Sequence, residues 1–205
     1  MARVATDVRT KMLIAAERLF AERGVDNVSL REIGEQAGQR NNSAVQYHFG
    51  NKQGLIQALY DLRLVPLNRA RHAMLEQTPD PSLPDLARIY VIPMSDAVID
   101  SRGSWAYARF LDRYLGRGRE FEPFDDQHGS GSREVARLMS AQLTGLGTAV
   151  RDERLRMIQV LTIRTLADLE HRLEHGLADD DDATLTVAAL VEAVSLLLDS
   201  PTSVG

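Results

Sequence analysis

Cysteine is absent from this chain of 205 residues, which excludes disulfides, thiolate zinc sites and a cysteine nucleophile together. No apolar run approaches the roughly 18 residues that a membrane-spanning helix needs. Residues 1–11, MARVATDVRTK, lack the apolar core of a signal peptide. These absences predict a cytoplasmic protein without a membrane partner. No glycine loop of the phosphate-cradling kind is present, and HGSGS at 128–132 is not the Gly-x-Ser-x-Gly pattern of a nucleophile elbow. Period-2 alternation and internal repeats are also missing, so neither strands nor a solenoid are expected. With no reactive constellation and no cofactor motif, the expectation is a protein that is not an enzyme and carries no cofactor.

What is present is helical. Apolar residues make up 44% and charged residues 26% of the chain, ordinary for a folded protein with a sizeable core. The net charge of −5 is unevenly placed: residues 1–72 hold 11 Lys and Arg against 7 Asp and Glu, whereas residues 73–205 hold 13 against 22. A basic head on an acidic body can engage a polyanion locally while the body limits indiscriminate association.

The most informative stretch is SLREIGEQAGQRNNSAVQYHFGNK at 29–52. Ser29 with Glu32 three residues on reads as a capping box that starts a helix. Leu30, Ile33 and Ala37 share one face, and Gly38 stands where a left-handed residue ends the helix. Beyond the turn, Val45 and Phe49, four apart, anchor a second short helix from beneath. Its outer face would carry Arg40, Asn41, Asn42, Ser43 and Gln46, residue types that pair with base edges in the major groove. Tyr47, His48 and Lys52 would face phosphates, and Asn51 is a plausible cap for the helix that follows. Taken alone, the same pattern also fits a solvated polar loop.

Residue order decides between these. LIAAERLFAERGVDNVSLREIGEQAG at 13–38, Tyr47-His48-Phe49, and Lys52 followed by Leu55 at the start of a long apolar helix together resemble the DNA-binding domain of the TetR family of bacterial transcriptional regulators. The resemblance implies an all-α fold: a three-helix helix-turn-helix head at 1–51 and a helical effector-binding and dimerisation domain at 52–205, joined by the helix 52–75. It implies a homodimer that binds a near-palindromic operator, with a small-molecule effector, most simply a repressor released by that effector. An activator, or a regulator answering to a partner without an effector, is the alternative. Ser29, Tyr47, His48 and Lys52 would then set register on the duplex, and Arg40, Asn41, Asn42, Ser43 and Gln46 its specificity. Two departures stand out: one residue more than the family's spacing between Gly38 and Phe49, and Gln46 where the family carries a tyrosine. Which residue of 39–43 touches a base is left open by them.

Helices are further predicted at 7–23, from 52 onward with a kink or break at Pro66, from 85 with an interruption near Pro93, and at 104–115, 133–146, 151–175 and 184–198. Residues 77–84, QTPDPSLP, read as a loop, and the glycine-rich segment 116–132 as a long connection without regular structure. Residues 185–198 are apolar on nearly every side, and Leu155, Ile158, Leu161, Leu166, Leu169 and Leu173 offer a matching stripe. A four-helix interface between two copies would cover both, as would the core of a monomer. Trp105, Tyr107, Phe110 and Tyr114, with Tyr90, Met94, Phe121, Phe124 and His128, could line an effector pocket or be plain core. His171 and His175, four apart, could share a metal, but a full site needs further ligands, so no metal is expected. The acidic run 179–182 reads as a solvated linker that complements the N-terminus of the last helix.

Overall fold

The computed structural model describes residues 2–39, 41, 43–115 and 130–200. Among them the fold is entirely helical: α1 Ala2–Arg23, α2 Leu30–Gln36, α3 Ala44–Phe49, α4 Lys52–Gln77, α5 Leu83–Asp100, α6 Tyr107–Leu115, α7 Ser130–Gln142, α8 Thr148–Glu174 and α9 Asp180–Asp199, with a single 3₁₀ turn at Val25–Asn27. None of these helices is long and apolar enough to cross a membrane.

The first three helices close on a small core of Met12, Leu13, Ala16 and Phe20 from α1, Ile33 from α2, and Val45 and Phe49 from α3, all buried. Each large apolar side chain removed from water contributes roughly 1.5–3 kcal/mol. The capping box is present: Ser29 Oγ accepts from the Glu32 backbone N–H at 3.2 Å, and Glu32 Oε2 accepts from the Ser29 N–H at 2.8 Å. Arg23 reaches across to Glu32 Oε1 at 2.8 Å, tying the end of α1 to the start of α2. Gly38 takes the left-handed conformation, φ 73°, that lets the chain turn out of α2. These donors hold the Glu32 carboxyl down to about 2 from 4.5, the Ser29 backbone N–H having the largest effect and then the Ser29 hydroxyl and Arg23.

Several expected boundaries shift, each for a local reason. Helix α1 begins at Ala2 rather than Asp7, because nothing between them breaks a helix. Ser82 and Asp85 form a second capping box that starts α5 at Leu83, with Pro84 in the first turn, where its missing N–H would be unsatisfied anyway. The expected interruption near Pro93 does not occur: Ile89, Val91, Met94 and Val98 are buried around it, and their packing offsets the lost backbone bond. Helix α4 likewise continues through Pro66. The acidic run is not a linker. Asp179 and Asp182 make a third capping box, and Asp180, Asp181 and Asp182 form the first turn of α9, where carboxylates complement the helix dipole. Helix α7 starts at Ser130, inside the predicted connection: Asn68 Oδ1 on α4 accepts the Ser132 N–H at 3.2 Å. A Cβ on Gly131 would lie 2.8 Å from Asn68 Cβ, so only glycine allows this approach. The rest of that connection, 116–129, lies outside the described residues.

One buried ion pair fastens α1 to the remaining helices. Glu17, fully buried on α1, receives Arg63 Nε of α4 at 2.6 Å and a second guanidinium nitrogen at 3.0 Å. It also accepts the Ala106 N–H, just before α6, at 3.0 Å. Arg63 in turn lies 3.9 Å over the Trp105 ring. Glu170 on α8, also fully buried, accepts the Ala108 and Arg109 N–H groups of α6 at 3.2 and 3.0 Å. Burial pushes its carboxyl up, and those donors only partly counter it.

Breaking the pair by Arg63→Met leaves Glu17 buried and short of charge compensation, at a cost of roughly 3–5 kcal/mol. Urea unfolding followed by circular dichroism should show that loss, and the double change Glu17→Leu with Arg63→Met should recover most of it. A second expectation concerns acid. A carboxyl whose pKa falls on folding stabilises the folded form above its unfolded value and ceases to as pH drops through its folded value. Thermal unfolding of the wild type should therefore weaken as pH falls from about 4.5 towards 2, and Glu32→Gln should flatten that segment of the curve.

Candidate functional site

Helix α3 presents two unlike faces. Val45 and Phe49 are buried beneath it, and the Arg9 guanidinium stacks 5.0 Å over the Phe49 ring. On the other side Ser43, Gln46 and Tyr47 are exposed. At three and four residue spacing these form one continuous polar surface. Tyr47 is 84% exposed, an aromatic ring left in water, with the His48 ring 5.3 Å away and edge-on. Asn41 Oδ1 accepts the Ser43 N–H at 3.0 Å and so shapes the turn into α3. The Ser43 side chain makes no capping bond of its own. Asn51 caps α4 through the Gly54 N–H at 2.9 Å.

Lys52 and Ser29 have structural duties beside any surface role. Lys52 Nζ donates to the Val25 carbonyl at 2.8 Å, tying the first turn of α4 to the turn after α1. Ser29 is exposed at the start of α2, engaged with Glu32. Asn41, Ser43, Gln46, Tyr47 and His48 thus lie on α3 or in the approach to it, while Ser29 and Lys52 stand at the starts of α2 and α4. Arg40 and Asn42 lie outside the described residues.

A second feature is a cavity of about 420 Å³ bounded by α4, α5, α6, α7 and α8. Its wall combines apolar side chains such as Leu64, Leu67 and Ile163 with polar ones, chiefly Arg71, Thr162 and Gln159. Of the aromatic set named from sequence, Tyr90 and Tyr107 line it together with Met94. Phe110 is buried in the core between Phe20 and Tyr60, with ring centroids 5.9 and 5.7 Å away. Trp105 stacks under Arg63, and Tyr114 packs on Tyr60 and Phe110. His128 lies outside the described residues, as do Phe121 and Phe124.

Sequence reasoning missed Arg71 and Thr162. A signal existed: Arg71 follows Leu64 and Leu67 at helical spacing, and Thr162 sits between Leu155 and Leu166 in the same way, so each is a polar residue on an apolar stripe. That stripe of α8 also faces inward, with Ile158, Leu166 and Leu169 buried. The side of α8 and α9 left uncovered is different, with Met157 and Val160 on one helix and Leu185 and Leu196 on the other.

The histidine pair groups more closely than sequence suggested. Ligand atoms of His171, Glu174 and His175 lie within 4.8 Å of one another, all on exposed residues. Glu174 is already bound by Arg109 at 2.6 Å, and His175 Nδ1 lies 2.8 Å from the His171 carbonyl.

Comparison with known proteins places this geometry. Residues 13–59 match the sequence profile described as bacterial regulatory proteins, tetR family. The HTH-type transcriptional regulator TtgR of Pseudomonas putida is 35% identical over 99 residues, 48% of this chain and 46% of that protein. The chain thus spans about half the length of the curated relatives it matches. A TetR family transcription regulator from Marinobacter aquaeolei VT8 shares the fold over 94% of this chain and 98% of its own, with TM-score 0.62 and 14% identity. The regulator FadR from Bacillus subtilis, solved in complex with stearoyl-CoA, matches over 94% of this chain and 99% of its own with TM-score 0.50 and 15% identity. With its profile match at residues 13–59, across α1 to α4, the chain carries the N-terminal region of the TetR family of bacterial regulatory proteins, on a fold that it shares over nearly its whole length with a solved TetR family regulator.

Proposed function

We propose that this protein is a homodimeric DNA-binding repressor, released from a near-palindromic operator when a small molecule fills the cavity between α4 and α8. The observation that carries this reading is α3: a helix pinned from below by Val45 and Phe49 whose outer face is Ser43, Gln46 and a highly exposed Tyr47. Gln suits the N6 and N7 of adenine, and a tyrosine hydroxyl suits a phosphate. Arg40, Asn41 and Asn42 in the preceding turn extend the same chemistry. The basic excess of residues 1–72 supplies the sequence-independent attraction.

The domain division follows at α4, with 1–51 as the head and 52–205 as the effector and dimerisation part. Two copies would pair through α8 and α9. Leu185, Ala189, Glu192 and Leu196 fall on one exposed stripe of α9, with Met157 and Val160 exposed on α8 beside it. A two-fold pair would set its heads ~34–36 Å apart, or somewhat more, matching successive major-groove faces.

Release has a physical route. Tyr107 and Leu111 of α6 touch the cavity, while Phe110 and Arg113 of the same helix touch α1, Arg113 Nε donating to the Ala21 carbonyl at 2.9 Å. A ligand that prefers one placement of α6 thereby biases the head. Only the difference between its affinities for the two placements counts. FadR, with its bound stearoyl-CoA, is a precedent for ligand binding within this fold.

Mobility-shift titration against fragments from the chain's own genome tests the reading. Retention should be sequence-specific and fall steeply with salt. Gln46→Ala should cost roughly 1–3 kcal/mol at one base position and relax preference there, whereas Tyr47→Ala should weaken all sites alike. Indifference to every duplex at low salt, or identical patterns from the two variants, would contradict it. Pairing is tested by sedimentation: wild type should run as a dimer and Leu185→Glu with Leu196→Glu as a folded monomer.

A further inference from the structure

Among the described residues, Arg71 in the cavity wall is a buried cation without a counterion. Arg71 is 4% exposed, on the second half of α4. One guanidinium nitrogen donates to Asn68 Oδ1 at 3.0 Å and another to the Tyr90 carbonyl at 3.3 Å, while Nε has no partner. Among the described residues no carboxylate pairs with it. The neighbouring groups that act on its charge are the tyrosines Tyr90 and Tyr107, and burial, the larger effect, pulls its pKa down. Arg63, by contrast, faces Glu17 and the half-buried Arg109 faces Glu170, while the buried Arg154 of α8 donates to the Leu198 carbonyl at 3.3 Å, away from the residues that line this cavity.

Two hydroxyls share the deficit. Tyr107 Oη on α6 and Thr162 Oγ1 on α8 are buried and also lack partners. Both residues line the same cavity as Arg71. Burial holds Tyr107 well above its ordinary pKa, so it remains a protonated donor. A buried donor left unmade is costly, and a guanidinium can only donate. Three residues from three helices that line one space thus each hold a buried polar atom without a partner. Most of the remaining wall is apolar, including Leu64, Leu67, Met94, Leu111, Leu155 and Ile163. The lining residues Asp152 and Arg156 are exposed, an acid and a base at the watery side of the space. At about 420 Å³ the space is in the range of small-molecule sites.

We propose that the cavity takes an apolar small molecule bearing one carboxylate, seated with its oxygens towards Arg71, Tyr107 and Thr162 and its body against the leucines. This builds on the reading of the cavity as the effector site. A carboxylate supplies what Arg71, Tyr107 and Thr162 lack: two acceptor oxygens and a charge to neutralise the guanidinium. A neutral body of the same shape would leave the cation unpaired, and an amine would be repelled by it. The chain-like or ring-like nature of the body is a separate matter, which straight-chain and aromatic probes resolve.

The test is calorimetric titration of the full-length protein with sodium decanoate, 1-decanol and decylamine, and with 2-naphthoate against 2-naphthol. The acid of at least one series should bind about tenfold or more tightly than its neutral partner. Decylamine should bind most weakly of the straight-chain probes. Arg71→Gln should abolish the preference for the acid while keeping affinity for the alcohol, and Tyr107→Phe should reduce it in part. Equal or tighter binding of the neutral compounds, a preference that survives Arg71→Gln, or no saturable binding of either acid at millimolar concentration would overturn the proposal. If Arg71→Gln does not fold by circular dichroism, the wild-type charge series decides alone. DNA release by the same compounds separates this from the effector reading. An acid that binds through Arg71 without releasing DNA upholds the chemistry and refutes the effector role; a neutral compound that binds better and releases DNA does the reverse.

Discussion

The pairing of Glu17 with Arg63 is the contact on which the arrangement of the remaining helices depends. It puts a carboxylate from α1 and a guanidinium from α4 in a place neither could occupy alone, since each would carry an uncompensated charge out of water. Glu17 then also takes the N–H of Ala106, so the start of α6 is defined by the same carboxylate that fixes α4. Trp105 stacks on the back of Arg63 and closes the site. Three helices thus converge on one side chain. The small head is in this way locked to the larger body by a directional polar link as well as by apolar packing, and a directional link has fewer alternative positions than a hydrophobic one.

Helix α6 is short, and its two ends show why it keeps its place. Its first turn meets two fully buried carboxylates, Glu17 from α1 and Glu170 from α8, each accepting backbone N–H groups that the helix cannot satisfy itself. Negative charge at that end also complements the helix dipole. Further along, Phe110 packs on Phe20 and Arg113 holds the Ala21 carbonyl. The helix is therefore clamped by α8 on one side and α1 on the other, while Tyr107 and Leu111 present a third side to the cavity.

The head was legible in the sequence because its determinants are local. A serine with a glutamate three residues on, a glycine at the turn and an asparagine before Lys52 each act within a few residues, and the structure contains all of them as read. Boundaries failed where tertiary packing overrode a local rule: Pro93 sits inside a helix whose other side chains are buried, and Asp180 to Asp182 start a helix because Asp179 caps it. The cavity was only partly legible. Tyr90, Met94 and Tyr107 line it as the aromatic cluster suggested, but Phe110 lies in the core and Trp105 covers Arg63. Sequence spacing shows which residues share a helix face, not which neighbour that face will meet. Glu17, Arg71, Thr162 and Glu170 would all have been found by asking which polar residues interrupt an apolar stripe.

Those four residues also differ in a way that bears on function. Glu17 and Glu170 are buried with their acceptor capacity engaged by guanidinium and backbone donors, so they stabilise one arrangement of helices. Arg71 and Thr162 are buried with one polar atom each left unpartnered, Nε and Oγ1, and both residues line the cavity. A buried guanidinium that meets only neutral acceptors still carries an uncompensated charge, which lowers stability. Its presence is explained if the missing partner arrives from outside, because the same desolvation that makes the lone guanidinium costly makes its pairing strong. Helix α4 carries both Arg63, held to the head by Glu17, and Arg71, roughly two turns further along on the cavity wall. A displacement of α4 as a whole at Arg71 would also move Arg63 and its link to Glu17. The satisfied and unsatisfied arginines of one helix are in this sense the two ends of a single lever, and the head can respond only as far as the arriving charge distinguishes one position of that helix from another.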